Sequence, residues 1–259
     1  MPFPLPYAGH DLSGQVALVT GASSGLGRRF AAVLSVAGAS VAVAARRTDK
    51  LKSLVDEITA RGGHAVAVEL DVMDAASITR AVDAAERQLG LINILVNNAG
   101  IPDAAYATKM PLELVDRVID TNFRAPFLLS CEVARRLMAA DKPGSIVNLS
   151  SVGAYSYNAS AASTLYCATK SAVLRLTETL AMEWAPFNIN VNAIAPGLFM
   201  SEMTEGMVQR VGDRASAKFP RKRIGDPAQL DSTLLYLVSP ASEFVTGICI
   251  RVDDAQMPR

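Results

Sequence analysis

Net charge, histidine and cysteine are all scarce in this chain. Its 25 Lys and Arg balance its 25 Asp and Glu. A neutral chain lacks the basic footprint that nucleic acid or an anionic membrane surface would need. His10 and His64 stand alone, and Cys131, Cys167 and Cys249 are far apart with no CxxC pair. That excludes a zinc cluster drawn from sequence neighbours. An odd, scattered set of thiols reads as reduced and cytoplasmic. The longest apolar uncharged run, residues 30–45, is too short to span a bilayer. The opening MPFPLPYAGHDLSGQ has three prolines and no basic stretch. It reads as an arm over residues 1–11, not as a signal peptide.

What is present is apolar. Half of the 259 residues are hydrophobic, enough for one large core. No repeat or low-complexity linker divides residues 12–259, so a single domain is expected. Short β-branched runs alternate with helical ones. Strands are expected at 16–20, 40–45, 64–70, 92–100, 144–151, 188–196 and 247–252. Helices are expected at 25–37, 48–61, 74–89, 164–184 and 227–238. Residues 112–140 read as one more helix, broken or bent near Pro126. Residues 202–212 read as a loose helix inside a loop, with Gly38 and Asp226–Pro227 marking a helix end and a helix start. Strict alternation predicts an α/β fold: a doubly wound, seven-stranded parallel sheet with helices on both faces. Ligands of such sheets bind at the carboxyl ends of the strands.

The first strand runs into TGASSGLG, residues 20–27. Gly21, Gly25 and Gly27 permit a tight turn and close approach to a pyrophosphate, and the helix that follows offers unpaired N–H groups. Alone, the turn could be mere packing. Between a strand and a helix in the first βαβ unit, it predicts a dinucleotide site. The second strand ends in Ala44, Ala45, Arg46 and Arg47 with nothing acidic to bind a ribose diol. NADP(H) is therefore favoured over NAD(H), with Arg46 as the clamp on a 2′-phosphate. The alternative is a pair of solvated helix-entry arginines. Asp71 stands where it could contact the adenine or simply cap the next helix.

Of the six tyrosines, only Tyr166 has a lysine four residues on, Lys170. Residues at i and i+4 share a helix face. An ammonium near a phenol lowers its pKa from about 10, towards useful acid–base chemistry near neutrality. The flanking Ala, Cys, Thr and Ser suit a site better than a solvated face. A carbonyl reduction also needs a polariser for the developing alkoxide. Ser150 and Ser151 at the end of the fifth strand are the candidates.

The ordered motifs TGASSGLG, LDV (70–72), NNAG (97–100), DTNF (120–123), NLSS (148–151), YCATK (166–170) and NAIAPG (192–197) resemble those of the short-chain dehydrogenase/reductase family, its 3-oxoacyl-[acyl-carrier-protein] reductase-like carbonyl reductases in particular. The likeness runs from about residue 12 to 253. It implies a Rossmann fold, with Tyr166 as acid/base, Lys170 on the cofactor ribose, and Ser151 on the substrate oxygen. It also implies that Asn122 positions water in a proton relay to Lys170. By the same resemblance Ser23, Ser24, Leu26, Val72, Asn98, Ala99, Gly100, Pro196, Gly197, Leu198 and Ser201 contact the cofactor. Helices at 112–140 and 164–184 would build a dimer or tetramer. One spacing departs from the family. Its serine usually lies about thirteen residues before the tyrosine, and that position is Gly153 here. Aligning from NLSS makes Ser151 the equivalent, with about two residues inserted ahead of Tyr166. Tyr155 and Tyr157 in that longer segment would touch substrate or only pack at the surface. Residues 199–218, with Met200, Met203 and Met207, are expected to be a lid with an adaptable apolar lining. Asp253 and Asp254 replace the glycine-rich end common in relatives. Three functions follow: an NADP(H)-dependent carbonyl reductase, an NAD-dependent alcohol dehydrogenase, or a non-catalytic dinucleotide sensor. The first two would act on a small-molecule ketone or alcohol.

Overall fold

The structure is a computed structural model and describes residues 9–103, 105–156, 162–205 and 214–257. Seven parallel strands form one sheet: β1 (Val16–Thr20), β2 (Ser40–Ala45), β3 (His64–Glu69), β4 (Ile94–Asn97), β5 (Gly144–Leu149), β6 (Ile189–Pro196) and β7 (Cys249–Val252). Their order is β3-β2-β1-β4-β5-β6-β7. The order reverses direction between β1 and β4, which opens a crevice at their carboxyl ends. β1 and β4 are buried at every residue, as central parallel strands are. The edge strand β3 instead buries only Ala65 and Val68.

Apolar spacing assigns each helix to a face. Phe30, Ala31 and Leu34 of α1 (Gly25–Val36) pack on one side of the sheet with Leu51, Leu54 and Ile58 of α2 (Thr48–Ala60). Leu234 and Leu237 of the helix at Asp231–Val238 complete that layer. On the other side sit Ile78, Val82 and Ala85 of α3 (Ala75–Leu89), together with Leu129, Val133 and Leu137 of α5 (Ala125–Ala140). Leu176, Leu180 and Trp184 of α6 (Thr164–Trp184) finish it. Truncating one such buried leucine to alanine costs about 2–5 kcal/mol.

The expected helix over 112–140 is three elements. α4 (Leu112–Ile119) leads into a π-helical turn at Asp120–Arg124, and α5 follows. The break precedes Pro126 because a proline disturbs the turn before it. It has no N–H for the carbonyl four residues back, here that of Asn122, and its ring crowds that carbonyl. Strand ends also shorten: the fourth strand begins at Ile94 and the seventh at Cys249. Asp226 does cap its helix, accepting from the Ala228 N–H in a reciprocal box with Gln229. Within the described residues of the loose helix, 202–205 are helical, while 206–213 lie outside them. Of the N-terminal arm, residues 1–8 also lie outside. No helix among the described residues is long and apolar enough to cross a membrane.

Candidate active site

A cavity of about 510 Å³ opens at the carboxyl ends of the central strands. The glycine turn gives it Gly21, Ser23, Ser24, Gly25 and Leu26. Arg46 and Arg47 line it beyond β2, and Asp71 and Val72 beyond β3. Asn98, Ala99 and Gly100 follow from β4, with Ser151, Tyr166 and Lys170 across from them. Pro196, Gly197 and Ser201 close the far side. Three expected residues do not line the cavity: Gly27, Leu198 and Asn122.

Each of those three acts from behind. Gly27 is a packing position: a Cβ there would lie 2.4 Å from Asn98 Nδ2 and 2.5 Å from the Gly21 carbonyl oxygen. Leu198 offers its backbone, its N–H donating to Gln256 Oε1 at 2.6 Å, while Phe199 lines the cavity in its place. Asn122, fully buried on the π turn, grips Ile101 at both ends: the Ile101 N–H donates to Asn122 Oδ1, and Asn122 Nδ2 donates to the Ile101 carbonyl, each at 2.9 Å. That fixes the chain leaving β4.

The glycine turn fits a dinucleotide. Gly21 (φ +66°) and Gly25 (φ +54°) are left-handed, and a Cβ on Gly21 would meet Ala99 Cα at 2.9 Å. Ser24 stands at the α1 N-cap without a side-chain capping bond, and the first turn carries no acidic residue. Asn98 locks the turn to β4, its Nδ2 donating to the Thr20 carbonyl at 2.9 Å. Asp71 Oδ1 accepts from the Met73 N–H at 3.1 Å, so it shapes its own turn as well as lining the cavity.

Across the cavity, Tyr166 and Lys170 share a face of α6, with Lys170 Nζ 5.7 Å from the phenol centroid. Lys170 is 5% exposed, and its ammonium donates to the Leu149 carbonyl at 2.7 Å. Burial holds its pKa down to about 8. At Tyr166 burial is also the largest influence and raises the phenol pKa. A side-chain hydrogen bond with Ser151 pulls it down, and Cys167 and Asp103 push it up again. The net shift is thus upward, against the expectation that the lysine would lower it, because the burial of the phenol outweighs what its neighbours offer.

The two serines separate cleanly. Ser150 is buried and its Oγ donates to the Lys170 carbonyl at 2.9 Å, a structural bond tying β5 to α6. Ser151 faces Tyr166. Gly153, at the family's usual serine position, leaves room for this pair. A Cβ there would sit 3.0 Å from Cys167 Sγ and 3.4 Å from Ser151 Oγ. Tyr155 packs at the surface, 46% exposed, with the Arg251 guanidinium 4.9 Å from its ring centroid. Tyr157 and Met207 lie outside the described residues. Met203 lines the cavity, whereas Met200 does not.

Sequence reasoning missed several residues. Asp103 is 1% exposed and its Oδ2 accepts from the Tyr166 N–H at 2.9 Å, anchoring the tyrosine's helix turn. Asn97, Asn148 and Thr177 form a buried chain, with Asn97 Nδ2 to Asn148 Oδ1 at 2.8 Å and Asn148 Nδ2 to Thr177 Oγ1 at 3.0 Å. It crosslinks β4, β5 and α6 beneath the site. Asn97 and Asn148 fall inside the NNAG and NLSS motifs, but no local pattern marks their bond to each other, or Asp103 and Thr177. Glu202 also lines the cavity, paired with Arg47. The C-terminal aspartates gain a role: Asp253 accepts from the Ala255 N–H at 3.3 Å, and Asp254 pairs with Arg223 and Arg221 beyond the expected lid.

The fold, the glycine turn and the Ser–Tyr–Lys grouping define a nucleotide-dependent oxidoreductase architecture. The short chain dehydrogenase family model matches residues 15–211, and the chain belongs to that family of enzymes acting on carbonyl and alcohol groups. It is 36% identical over 243 residues to a 3-oxoacyl-[acyl-carrier-protein] reductase of Thermotoga maritima, covering 93% of this chain and 97% of that one. A short-chain type dehydrogenase/reductase from Mycobacterium marinum superposes with a TM-score of 0.93 at 37% identity, covering 96% and 98% of the two chains. A candidate 2-deoxy-D-gluconate 3-dehydrogenase from Agrobacterium tumefaciens, solved with bound NADP, gives 0.87 at 34% identity over 99% and 100%.

Proposed function

We propose that this chain is an NADP(H)-dependent reductase of ketones, or the dehydrogenase of the matching secondary alcohols. The observation that carries the reading is the convergence of Ser151, Tyr166 and Lys170 on one cavity whose opposite wall is the glycine turn. The NADP preference rests on two arginines at the end of β2, where nothing acidic stands, and on the NADP bound in the Agrobacterium relative.

When bound, the cofactor supplies the hydride for the carbonyl carbon or accepts it from the alcohol. The chain's part is the proton and the charge. In the reducing direction the Tyr166 hydroxyl gives its proton to the carbonyl oxygen, and in the oxidising direction it takes one back. Ser151 Oγ, beside Tyr166 in the cavity, holds the same oxygen and steadies the negative charge that grows there. Lys170 keeps a positive charge close below about pH 8, and Asn122 fixes the loop between β4 and the cavity. The raised pKa of Tyr166 keeps it protonated at neutral pH, which suits reduction. Leu112 and Phe127, exposed on α4 and α5, support assembly into a dimer or tetramer through that face.

Fluorescence titration with NADPH and NADH tests the cofactor, using wild type, Arg46→Ala and Tyr166→Phe. NADPH should bind about tenfold tighter than NADH, an advantage that Arg46→Ala loses. Tyr166→Phe should bind NADPH normally yet reduce ketones about 10²–10⁴-fold more slowly. Equal or tighter NADH binding would turn the reading to an NAD-dependent alcohol dehydrogenase. Full activity in Tyr166→Phe would remove the tyrosine from the chemistry.

A further inference from the structure

The sequence points to Arg46 as the phosphate clamp, and the structure gives Arg47 the more elaborate set of partners. Arg47 reaches back over the glycine turn. Its Nη2 donates to Ser23 Oγ and to Ser24 Oγ, both at 2.9 Å. The same guanidinium holds the Glu202 carboxylate in a two-point fork, Nη1 to Oε1 and Nη2 to Oε2, each at 2.7 Å. Arg47 first, and Ser24 after it, hold the Glu202 carboxyl below the usual carboxylate range. Glu202 belongs to the segment that crosses the cavity after β6, beside Ser201, whose Cβ would lie 3.3 Å from a Cβ on Gly25. Among the described residues Arg46 has no ion-pair partner, and it lines the same wall.

A carboxylate held by a bidentate guanidinium is bound as a phosphate would be. The donors around Glu202 are the ones that the end of β2 and the glycine turn would offer to a 2′-phosphate. Both anions cannot use the Arg47 fork at once. A nucleotide without that phosphate makes no claim on the fork, so the Arg47–Glu202 pair stays closed beside it.

We infer that Glu202 is an intramolecular competitor for the adenosine 2′-phosphate, a specificity-determining residue that narrows the preference for NADP(H) over NAD(H). The inference rests on the dinucleotide reading of the cavity, but not on which cofactor the wild type prefers. The phosphate displaces Glu202 from Arg47, and the freed carboxylate returns to water, where it is half exposed already.

Calorimetric titration of wild type and Glu202→Gln with 2′,5′-ADP and 5′-AMP isolates the phosphate. Glu202→Gln keeps the side chain's shape and removes its charge. It should bind 2′,5′-ADP about tenfold tighter than wild type, the worth of one charge-assisted hydrogen bond. Binding of 5′-AMP should stay within about twofold, and the gain should vanish in an Arg47→Ala background. Equal gains for both nucleotides would overturn the inference, since the effect would then be one of access. Weaker 2′,5′-ADP binding would overturn it too, because Glu202 would then orient Arg47 for the phosphate. If wild type prefers NADH while Glu202→Gln gains selectively for 2′,5′-ADP, the cofactor preference proposed above fails and the competitor stands. If the variant gains nothing for 2′,5′-ADP, the competitor fails whichever cofactor the wild type prefers.

Discussion

The cavity has two differently made sides. The glycine-turn side is shaped by main chain: Gly21, Gly25 and Gly27 sit where a Cβ would press on Ala99, Ser201 or Asn98. The opposite side is shaped by buried side chains that grip distant main chain, Ser150 on the Lys170 carbonyl, Asp103 on the Tyr166 N–H, Asn122 on the Ile101 N–H. A main-chain wall tolerates no added atom, and the charges over it, Arg47 and Glu202, stay about half exposed. A side-chain wall tolerates small changes of shape but carries a buried ammonium at a cost. The two sides should therefore fail in different ways, one by sterics and one by pH.

The largest effect should come from the buried charge. The pKa of Lys170 is held down to about 8 against an ordinary 10.5. Below about pH 8 the folded and unfolded chains both carry the proton, and the folded chain bears the full cost of burying it. Between about 8 and 10.5 the folded chain has released a proton that the unfolded chain keeps, so stability rises with pH. Lys170→Met lacks this term. Wild type should gain stability relative to Lys170→Met from pH 7 to 10.5, on the order of 3 kcal/mol in all. Urea denaturation of both proteins across that range measures it. A difference that stays flat with pH would mean that Lys170 is not charged against its surroundings in the fold.

Gly27→Ala tests the other side. The added methyl would meet Asn98 Nδ2 and the Gly21 carbonyl at contact distances no real Cβ adopts. Asn98 can shift, but the Gly21 backbone is fixed by its own left-handed turn. Overpacking of this kind costs about 1–3 kcal/mol. Cofactor affinity should fall about ten- to a hundredfold in fluorescence titration, with no new pH dependence. A variant that binds normally would show that the turn has slack, and that the two walls are less different than the packing implies.

The same contrast governs what could be read from the sequence. Strands, helices and the glycine turn were legible because each follows from a local period or a local backbone demand. The break before Pro126 was visible, but its place was not, since the disturbance falls on the turn containing Asn122, four residues earlier. Residue chemistry alone leaves Ser150 and Ser151 level, and aligning the NLSS motif picks Ser151; the physical difference is where the hydroxyls go, since that of Ser150 ends on a helix twenty residues away. Asp103 leaves no local trace: its partner is the Tyr166 N–H, 63 residues on. The Arg47–Glu202 pair spans 155 residues. Long-range side-chain pairs are what a one-dimensional period does not encode, and the substrate side of the cavity is built from them.

The smallest effect should come from the far end of that side-chain wall. Gln256 brackets Leu198, its Oε1 accepting from the Leu198 N–H at 2.6 Å and its Nε2 donating to the Leu198 carbonyl at 3.4 Å. It also crowds Gly197, where a Cβ would meet its Oε1 at 2.4 Å. The segment that crosses the cavity thus starts from a base held by the C-terminal turn. Gln256→Ala leaves the Leu198 N–H without this partner but within reach of water, so the loss should be about 1 kcal/mol. In a chain of this size that is a fall of about 2–4 °C in Tm. NADPH affinity should stay within about twofold, since the glycine turn is untouched, while KM for a ketone rises a few-fold as the base of the segment loosens. A change confined to KM would place Gln256 on the substrate side alone. An equal loss of NADPH affinity would show that the two walls are coupled through residues 197–201, and the division between them would have to be redrawn there.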